Sequence, residues 1–228
     1  MLIGGLQKTS LLDYPEKIAA ILFTQGCNFR CGYCHNPELL NSNKTINISE
    51  NDFFDFLKTR QGKLDGVVIT GGEPCLQGDI VEFIEKIKEL EYLVKLDTNG
   101  SYPEKLEKLV KNNLIDYVAM DIKAPLPKYH IITGSIIEPQ KISDSINMIM
   151  SSGIPYEFRT TVLKSQLNLE DFKEIAVLIS GAEKYYLQKF AANKIYNQAL
   201  INEKTYSVEE FEKIIEILKE KIKLVEIR

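Results

Sequence analysis

The sequence predicts an α/β fold, a partial (βα)6 open barrel, with residues 1–228 as a single domain. Short β-rich segments alternate with amphipathic helical patterns about six times along the chain. Several strand segments are continuous apolar runs, which are typical of parallel strands buried on both faces. The length of 228 residues is short for a closed eight-unit barrel, which typically needs about 250. With 44% hydrophobic residues, the chain can bury a substantial core.

The predicted elements alternate strictly after the first strand. In chain order, strands are predicted at 17–24, 66–71, 93–99, 116–123, 156–163 and 184–190. Helices are predicted between and after them at 49–59, 79–90, from Pro103 onwards, and at 140–151, 168–179 and 207–218. Asp79 with Glu82, and Ser207 with Glu210, have the spacing of capping boxes, and a proline favours the first helical position.

Composition excludes several classes of protein. A formal net charge of −4 argues against broad electrostatic binding of nucleic acid or an anionic membrane. No apolar run approaches the roughly 18 residues of a membrane span, and the first residues lack the pattern of a signal peptide. Three of the four cysteines are too close together for a disulfide framework. We therefore expect a protein of the reducing cytoplasm.

Three cysteines are the most informative feature of the chain. Cys27, Cys31 and Cys34 lie in the segment CNFRCGYCHNPE, directly after the first predicted strand. Three closely spaced thiolates can hold three irons of a cubane iron–sulfur cluster and leave the fourth iron open for a ligand. The alternative is a zinc site with His35 as the fourth ligand, although adjacent Cys34 and His35 would form a strained pair.

Other polar motifs follow the next predicted strands. TGGEP (70–74) ends the second strand, DTNG (97–100) the third and DIK (121–123) the fourth. The carboxyl ends of parallel strands meet at one rim, where the active sites of such sheets lie. The sequence therefore predicts that these motifs and the cysteines share one site.

Together these motifs resemble a known family. The cysteine spacing, with Tyr33 before the last cysteine and GGEP after the second strand, resembles the signature of radical S-adenosylmethionine (SAM) enzymes. CHNPE, DTNG and MDIK are similar to motifs of the glycyl-radical-activating enzymes. The opening GGLQKTSLLDYPEK and the segment IDYVAMDIKAP look most like the activating proteins of anaerobic ribonucleoside-triphosphate reductase.

The resemblance implies a reaction and its cofactors. A 4Fe–4S cluster would cleave SAM reductively to methionine and a 5′-deoxyadenosyl radical, which would take a hydrogen atom from a glycine of a partner enzyme. The expected partner is anaerobic ribonucleotide reductase. Since no ferredoxin-type cysteine insert is present, we expect a flavodoxin or a ferredoxin as the electron donor.

The resemblance also implies roles for individual residues. The metal ligands would be Cys27, Cys31 and Cys34. The GGEP segment would bind the methionine amine, and Lys123 would pair with the cofactor carboxylate. The full set expected to bind cofactors is Tyr33, Gly71, Gly72, Glu73, Pro74, Asp97, Thr98, Asp121 and Lys123. Of these, Asp97, Thr98 and Asp121, with the carbonyl of Ala119, would hold a monovalent cation, while His35 and Asn36 would tune the cluster from behind its ligands.

Some assignments stay open at this point. Arg159 is interpreted either as a buried ion-pair partner or as a cofactor contact, and Asp121 with Lys123 as a site pair or a simple ion pair. Cys75 is interpreted as a small buried thiol, and the tract 191–206 as an irregular loop without chemistry. Other hypotheses are a radical enzyme with a different glycyl radical partner or a small-molecule substrate, and a non-catalytic iron–sulfur or zinc module. A binding module would not need GGEP and the two aspartates.

Overall fold

One sheet organises the molecule. The computed structural model describes residues 1–42 and 48–228, and within them eight strands lie side by side in chain order. The strands are β1 (Ile3–Ser10), β2 (Ala19–Thr24), β3 (Gly66–Gly71), β4 (Leu93–Thr98), β5 (Tyr117–Asp121), β6 (Tyr156–Val162), β7 (Lys184–Lys189) and β8 (Leu224–Ile227). β1 runs antiparallel to β2, and every later pair is parallel.

Helices separate the parallel strands. They are α1 (Glu50–Thr59), α2 (Ile80–Glu89), α3 (Pro103–Lys111), α4 (Tyr129–Thr133), α5 (Pro139–Ser151), α6 (Leu169–Leu178) and α7 (Val208–Lys219). Strand–helix units run from β2 to α7, and β1 and β8 remain at opposite ends of the sheet. The predicted six-unit open barrel is therefore confirmed, with each predicted strand matched to within two residues.

The sequence does not predict the two outer strands. β1 contains two adjacent glycines, and most of its residues are partly or fully exposed, so it lacks the apolar signal of a buried strand. β8 has only four residues. Outer strands bury less apolar surface than central ones, and their sequences are correspondingly harder to distinguish from loops.

The helix starts confirm two predictions and correct one. Ser207 accepts a hydrogen bond from Glu210 N and completes a capping box, as predicted, and Pro103 is the first residue of α3. The predicted capping box of Asp79 and Glu82 is wrong, because Asp79 makes no capping hydrogen bond. Its carboxylate instead forms an ion pair with the amino group of Met1.

The central strands are buried on both faces, as parallel strands covered by helices should be. Val67, Val68 and Ile69 in β3 each expose 1% or less of their surface. On the helical side, Phe53 of α1 stacks on Phe83 of α2 with ring centroids 5.5 Å apart. No helix within the described ranges is long and apolar enough to cross a membrane.

Candidate active site

The carboxyl ends of β2 to β7 surround a cavity of about 240 Å³. Thirteen of the residues predicted for the site line it: Cys27, Cys31, Tyr33, Cys34, His35, Asn36, Gly71, Gly72, Glu73, Asp97, Thr98, Asp121 and Lys123. Pro74 is buried in the turn after β3, and Ala119, expected to contribute its carbonyl, is not among the lining residues. Arg159 and Gln188 also line the cavity. The motifs that the sequence distributes over six strands therefore surround one space.

The cysteines occupy the loop that follows β2. A turn brings Cys34 N to within 3.0 Å of Cys31 O, and all four cysteines of the chain are free thiols. Arg30 donates from Nη1 to the carbonyl of Cys27 at 2.6 Å, which holds the start of the loop. Burial raises the pKa of the Cys27 thiol to about 12, so metal binding has to displace protons here.

The donor set fits a cluster better than a single ion. Within the described ranges, no three His, Cys, Asp or Glu side chains are arranged to hold one metal ion. A zinc site would need its ligands to converge on one point. A cubane places each cysteine on a different iron, so the three thiols need only share one wall of the cavity. His35, the fourth ligand of the alternative zinc site, stacks on Phe190, with ring centroids 6.2 Å apart.

The glycines after β3 are required by a close approach of two backbone segments. Gly72 N donates to Thr24 O at 2.9 Å, and Glu73 N donates to Gly26 O at 2.9 Å. A Cβ on Gly72 would lie 2.1 Å from Gly26 O. The resemblance implies that these glycines belong to the segment that binds the methionine amine. The structure adds a reason within the protein, because the turn is joined to the chain leading into the cysteine loop.

Glu73 joins two strand ends from a fully buried position. Its Oε1 accepts from Cys75 N at 2.9 Å and from the Thr98 hydroxyl at 2.7 Å. Its Oε2 accepts from Asn99 N at 2.7 Å. The resemblance implies that the GGEP segment binds the amine of the cofactor, and in the structure each oxygen of Glu73 also accepts a hydrogen bond from the chain. Burial raises the pKa of this carboxyl even against the opposing effect of its donors.

We expect Glu73→Gln to destabilise the protein without any cofactor present. A glutamine amide would direct its NH₂ group towards one of the N–H donors that the carboxylate now accepts, at a cost of about 1–3 kcal/mol in the free energy of unfolding. Urea unfolding of the cofactor-free protein measures this. Glu82→Gln on the exposed face of α2 is the matched control. Equal stability of the two variants would contradict this structural role.

Five charged side chains form a continuous row across β4, β5 and β6, which we call the charge row: Lys95, Asp97, Arg159, Asp121 and Lys123. Arg159 Nη1 lies 2.9 Å from Asp97 Oδ2, and its Nε lies 2.9 Å from Asp121 Oδ1. Lys95 pairs with the other oxygen of Asp97. Lys123 Nζ pairs with Asp121 Oδ2 at 2.9 Å. Cations and carboxylates therefore alternate along the row.

Both carboxylates of the charge row are ionised at neutral pH. Burial alone would raise the pKa of Asp121, but Arg159 and Lys123 overcome this effect and lower the pKa to about 2. The pKa of Asp97 is likewise lowered by Arg159 and Lys95 against the effect of burial. Three cations and two carboxylates then give the row a net charge of +1. Of the row, Asp97, Arg159, Asp121 and Lys123 line the cavity, so the wall offers a ligand two cations beside two carboxylates.

The Tyr33 hydroxyl is buried without a hydrogen-bond partner in the described part of the chain. Tyr33 lines the cavity and exposes only 4% of its surface. Its ring faces the Lys123 ammonium group, with Nζ 5.8 Å from the ring centroid. Buried tyrosine hydroxyls usually find a partner. Tyr33 thus adds an aromatic ring beside Lys123 to the cavity lining, and its hydroxyl is an unsatisfied buried group among the described residues.

Two contributors to the site are not predicted from the sequence, namely Lys95 and the tract 191–206. Lys95 has a signal in the sequence, because it is a charged residue inside an apolar strand and lies on the same face as Asp97. The tract 191–206 has none that we recognise, yet it is joined to the cysteine loop. Tyr196 N donates to Cys34 O at 3.0 Å, and Asn197 N donates to Gly32 O at 2.8 Å. The tract therefore supports the loop that carries the cysteines.

Known proteins share these features. A profile of the Radical SAM superfamily matches residues 21–179. A Methanocaldococcus jannaschii protein provisionally named a glycyl-radical enzyme activating enzyme is 36% identical over 205 residues, covering 86% of this chain and 83% of that protein. The pyruvate formate-lyase-activating enzyme of Streptococcus mutans is 33% identical over 147 residues, covering 58% of this chain and 55% of that enzyme.

A solved structure supports the fold. The crystal structure of Streptococcus suis SuiB bound to S-adenosylmethionine matches with a TM-score of 0.66 and covers 89% of this chain and 48% of SuiB. The two sequences are 17% identical, so this likeness concerns the fold alone.

Proposed function

Because the chain belongs to the Radical SAM superfamily and, within it, to the glycyl-radical enzyme activating enzymes, we propose that it generates a radical on a glycine of a partner enzyme. The observation that carries this proposal is the single cavity shared by the cysteine loop, the GGEP turn and the charge row. Membership implies two cofactors, a 4Fe–4S cluster and SAM. When bound, they supply reductive cleavage of SAM and a 5′-deoxyadenosyl radical that removes a hydrogen atom from the glycine.

The cysteine loop has the first role in this proposal. Cys27, Cys31 and Cys34 bind three irons and leave one iron for SAM. The loop is held from one side by Arg30 and from the other by the tract 191–206. His35 and Asn36 follow Cys34 in the chain and line the same cavity. The hydrogen bonds to the loop restrict its backbone, which reduces the entropy lost when the thiols bind metal.

The rest of the cavity orients SAM. Lys123, at the end of the charge row, attracts the carboxylate of its methionine part, and the Tyr33 ring packs beside Lys123 Nζ at 5.8 Å. Gly71 and Gly72 present backbone to the cavity, and Pro74 stiffens the turn behind them. Asp97, Thr98 and Asp121 act as positioning residues from the strand ends.

The identity of the partner is a finer part of the proposal. We propose anaerobic ribonucleotide reductase as the protein that is activated, on the similarity of the opening segment and of IDYVAMDIKAP to its activating proteins. A flavodoxin or a ferredoxin would deliver the electron, and the reaction would take place in the cytoplasm. Among the described residues β1 and β8 do not pair with each other, so the barrel stays open, and a partner's glycine loop would enter through the side gap.

Anaerobic reconstitution with iron and sulfide tests this function. We expect the reduced protein to release 5′-deoxyadenosine from SAM and, with the reductase, to produce the doublet of a glycyl radical in electron paramagnetic resonance. A parallel sample with pyruvate formate-lyase tests the choice of partner. A doublet that appears with the lyase and not with the reductase would show that the lyase is the partner. Release of 5′-deoxyadenosine with no doublet from any glycyl radical enzyme of the same genome would refute glycine as the target.

A further inference from the structure

The space between the two strand-end carboxylates is already filled by an arginine. The resemblance implies a monovalent cation held there by Asp97, Thr98 and Asp121. The residues do not fit this group. Arg159 contacts Asp97 Oδ2 and Asp121 Oδ1, and lysines contact the two remaining carboxylate oxygens. All four oxygens that a cation would use therefore have a positively charged partner.

The third expected ligand is also committed elsewhere. The Thr98 hydroxyl donates to Glu73 Oε1 at 2.7 Å and accepts from Gly100 N at 3.1 Å. Ala119, whose carbonyl would complete the site, lies inside the sheet between Asp97 of β4 and Glu157 of β6. It is not among the residues that line the cavity. A cation would thus have to displace existing hydrogen bonds as well as existing charges.

The net charge of the charge row also disfavours a bound cation. The charge row carries three cations and two carboxylates, so its net charge is already +1. Arg159 and Asp97 each expose only 13% of their side chains, and charges interact more strongly in such a setting than in water. A further cation would add repulsion without neutralising anything. The guanidinium group of Arg159 stays charged at any pH of interest and already compensates the charges of Asp97 and Asp121.

We propose that Arg159 replaces the monovalent cation in this protein, as a positioning residue that fixes Asp97 and Asp121 and keeps the charge row positive towards the carboxylate of SAM. Nε and Nη1 of Arg159 donate to the two aspartates, so within residues 1–42 and 48–228 the N–H groups on Nη2 remain for a ligand in the cavity. The proposal rests on superfamily membership and does not depend on which partner is activated. Failure of this proposal therefore leaves the glycyl radical assignment unaffected, and failure of that assignment leaves this proposal unaffected.

Titration of SAM into the reconstituted holoenzyme tests the proposal without any partner protein. Calorimetry is carried out in potassium, sodium and tetramethylammonium chloride at equal ionic strength. We expect the Kd for SAM to agree within about twofold in the three salts, because no cation site has to be filled. Tightening by about tenfold, or about 1.4 kcal/mol, in potassium or sodium would overturn the proposal. This measurement uses the unmodified chain and so does not depend on the folding of a variant.

Arg159→Gln adds a second measurement. We expect it to bind SAM at least about tenfold more weakly in tetramethylammonium, and potassium or guanidinium ions to restore part of the affinity. A purely structural role would not produce rescue by a cation. Arg228→Gln is the matched control. Arg228 pairs with the buried Glu157 at 2.9 Å. Glu157 is in β6, like Arg159, but neither Arg228 nor Glu157 lines the cavity. Unchanged SAM affinity of Arg159→Gln in tetramethylammonium would refute the role of Arg159.

Discussion

Replacing Cys31 with alanine is expected to remove the iron–sulfur cluster and to reduce 5′-deoxyadenosine formation to background. Cys31 is the central thiol of the loop and is 7% exposed. A cubane that loses one of three protein ligands has two irons without protein support, and no other thiol is at hand, since Cys75 lies behind the GGEP turn and outside the cavity lining. Iron and sulfide content, the visible absorption spectrum and chromatography of the reaction products measure the effect.

Cys75→Ala is the matched control for this prediction. Cys75 is buried, like Cys31, but its thiol lies 3.9 Å from the Thr98 hydroxyl and faces the protein interior. We expect the Cys75 variant to bind the same amount of iron as the unmodified protein. A Cys31→Ala protein that retained the full cluster spectrum would contradict the ligand assignment. If Cys31→Ala and Cys75→Ala lost the same amount of iron, the cause would be damage to the fold and not the loss of a ligand.

A methyl group at Gly72 is expected to damage the site through the backbone. The Cβ of Gly72→Ala would lie 2.1 Å from the carbonyl oxygen and 2.7 Å from the carbonyl carbon of Gly26. Both are backbone atoms and cannot rotate away, so the GGEP turn and the entry to the cysteine loop must separate. We expect a loss of about 3 kcal/mol or more in the free energy of unfolding, measured by urea denaturation.

Gly78→Ala provides the comparison, because a Cβ there would meet nothing within 4 Å. We expect its free energy of unfolding to change by at most about 1 kcal/mol. The Gly72 variant should also take up less iron during reconstitution, since the displaced chain leads directly to Cys27. Equal stability and equal iron content in the two glycine variants would show that the close approach at Gly72 has no consequence.

The sequence predicts the fold and the membership of the site well, for a physical reason. Parallel strands leave continuous apolar runs, and their carboxyl ends meet at one rim, so residues that follow different strands can be assigned to one cavity. This is how Cys34, Gly72, Asp97 and Asp121 are brought together from separate motifs. The strands follow one another across the sheet in chain order, with at least one helix in each crossover from β2 to β8, which makes the inference simple.

What the sequence does not predict is the pairing of side chains inside that rim. Arg159 is visible as a charged residue in a strand, but its choice of both Asp97 and Asp121 depends on the register of β6 against β5. Glu73 has the same limitation, since its partner Asn99 lies 26 residues away. The link from the tract 191–206 to the cysteine loop uses backbone groups, which have no specific sequence signal.

The charge row has a consequence for how the sheet assembles. A buried charge without its partner is costly, so none of β4, β5 and β6 can reach its final place cheaply alone. A slip of one residue would turn Arg159 to the other face of its strand and leave Asp97 and Asp121 each without one of its two cationic partners. The row therefore acts as a register lock during folding, and we expect these three strands to exchange their amide hydrogens as one cooperative unit.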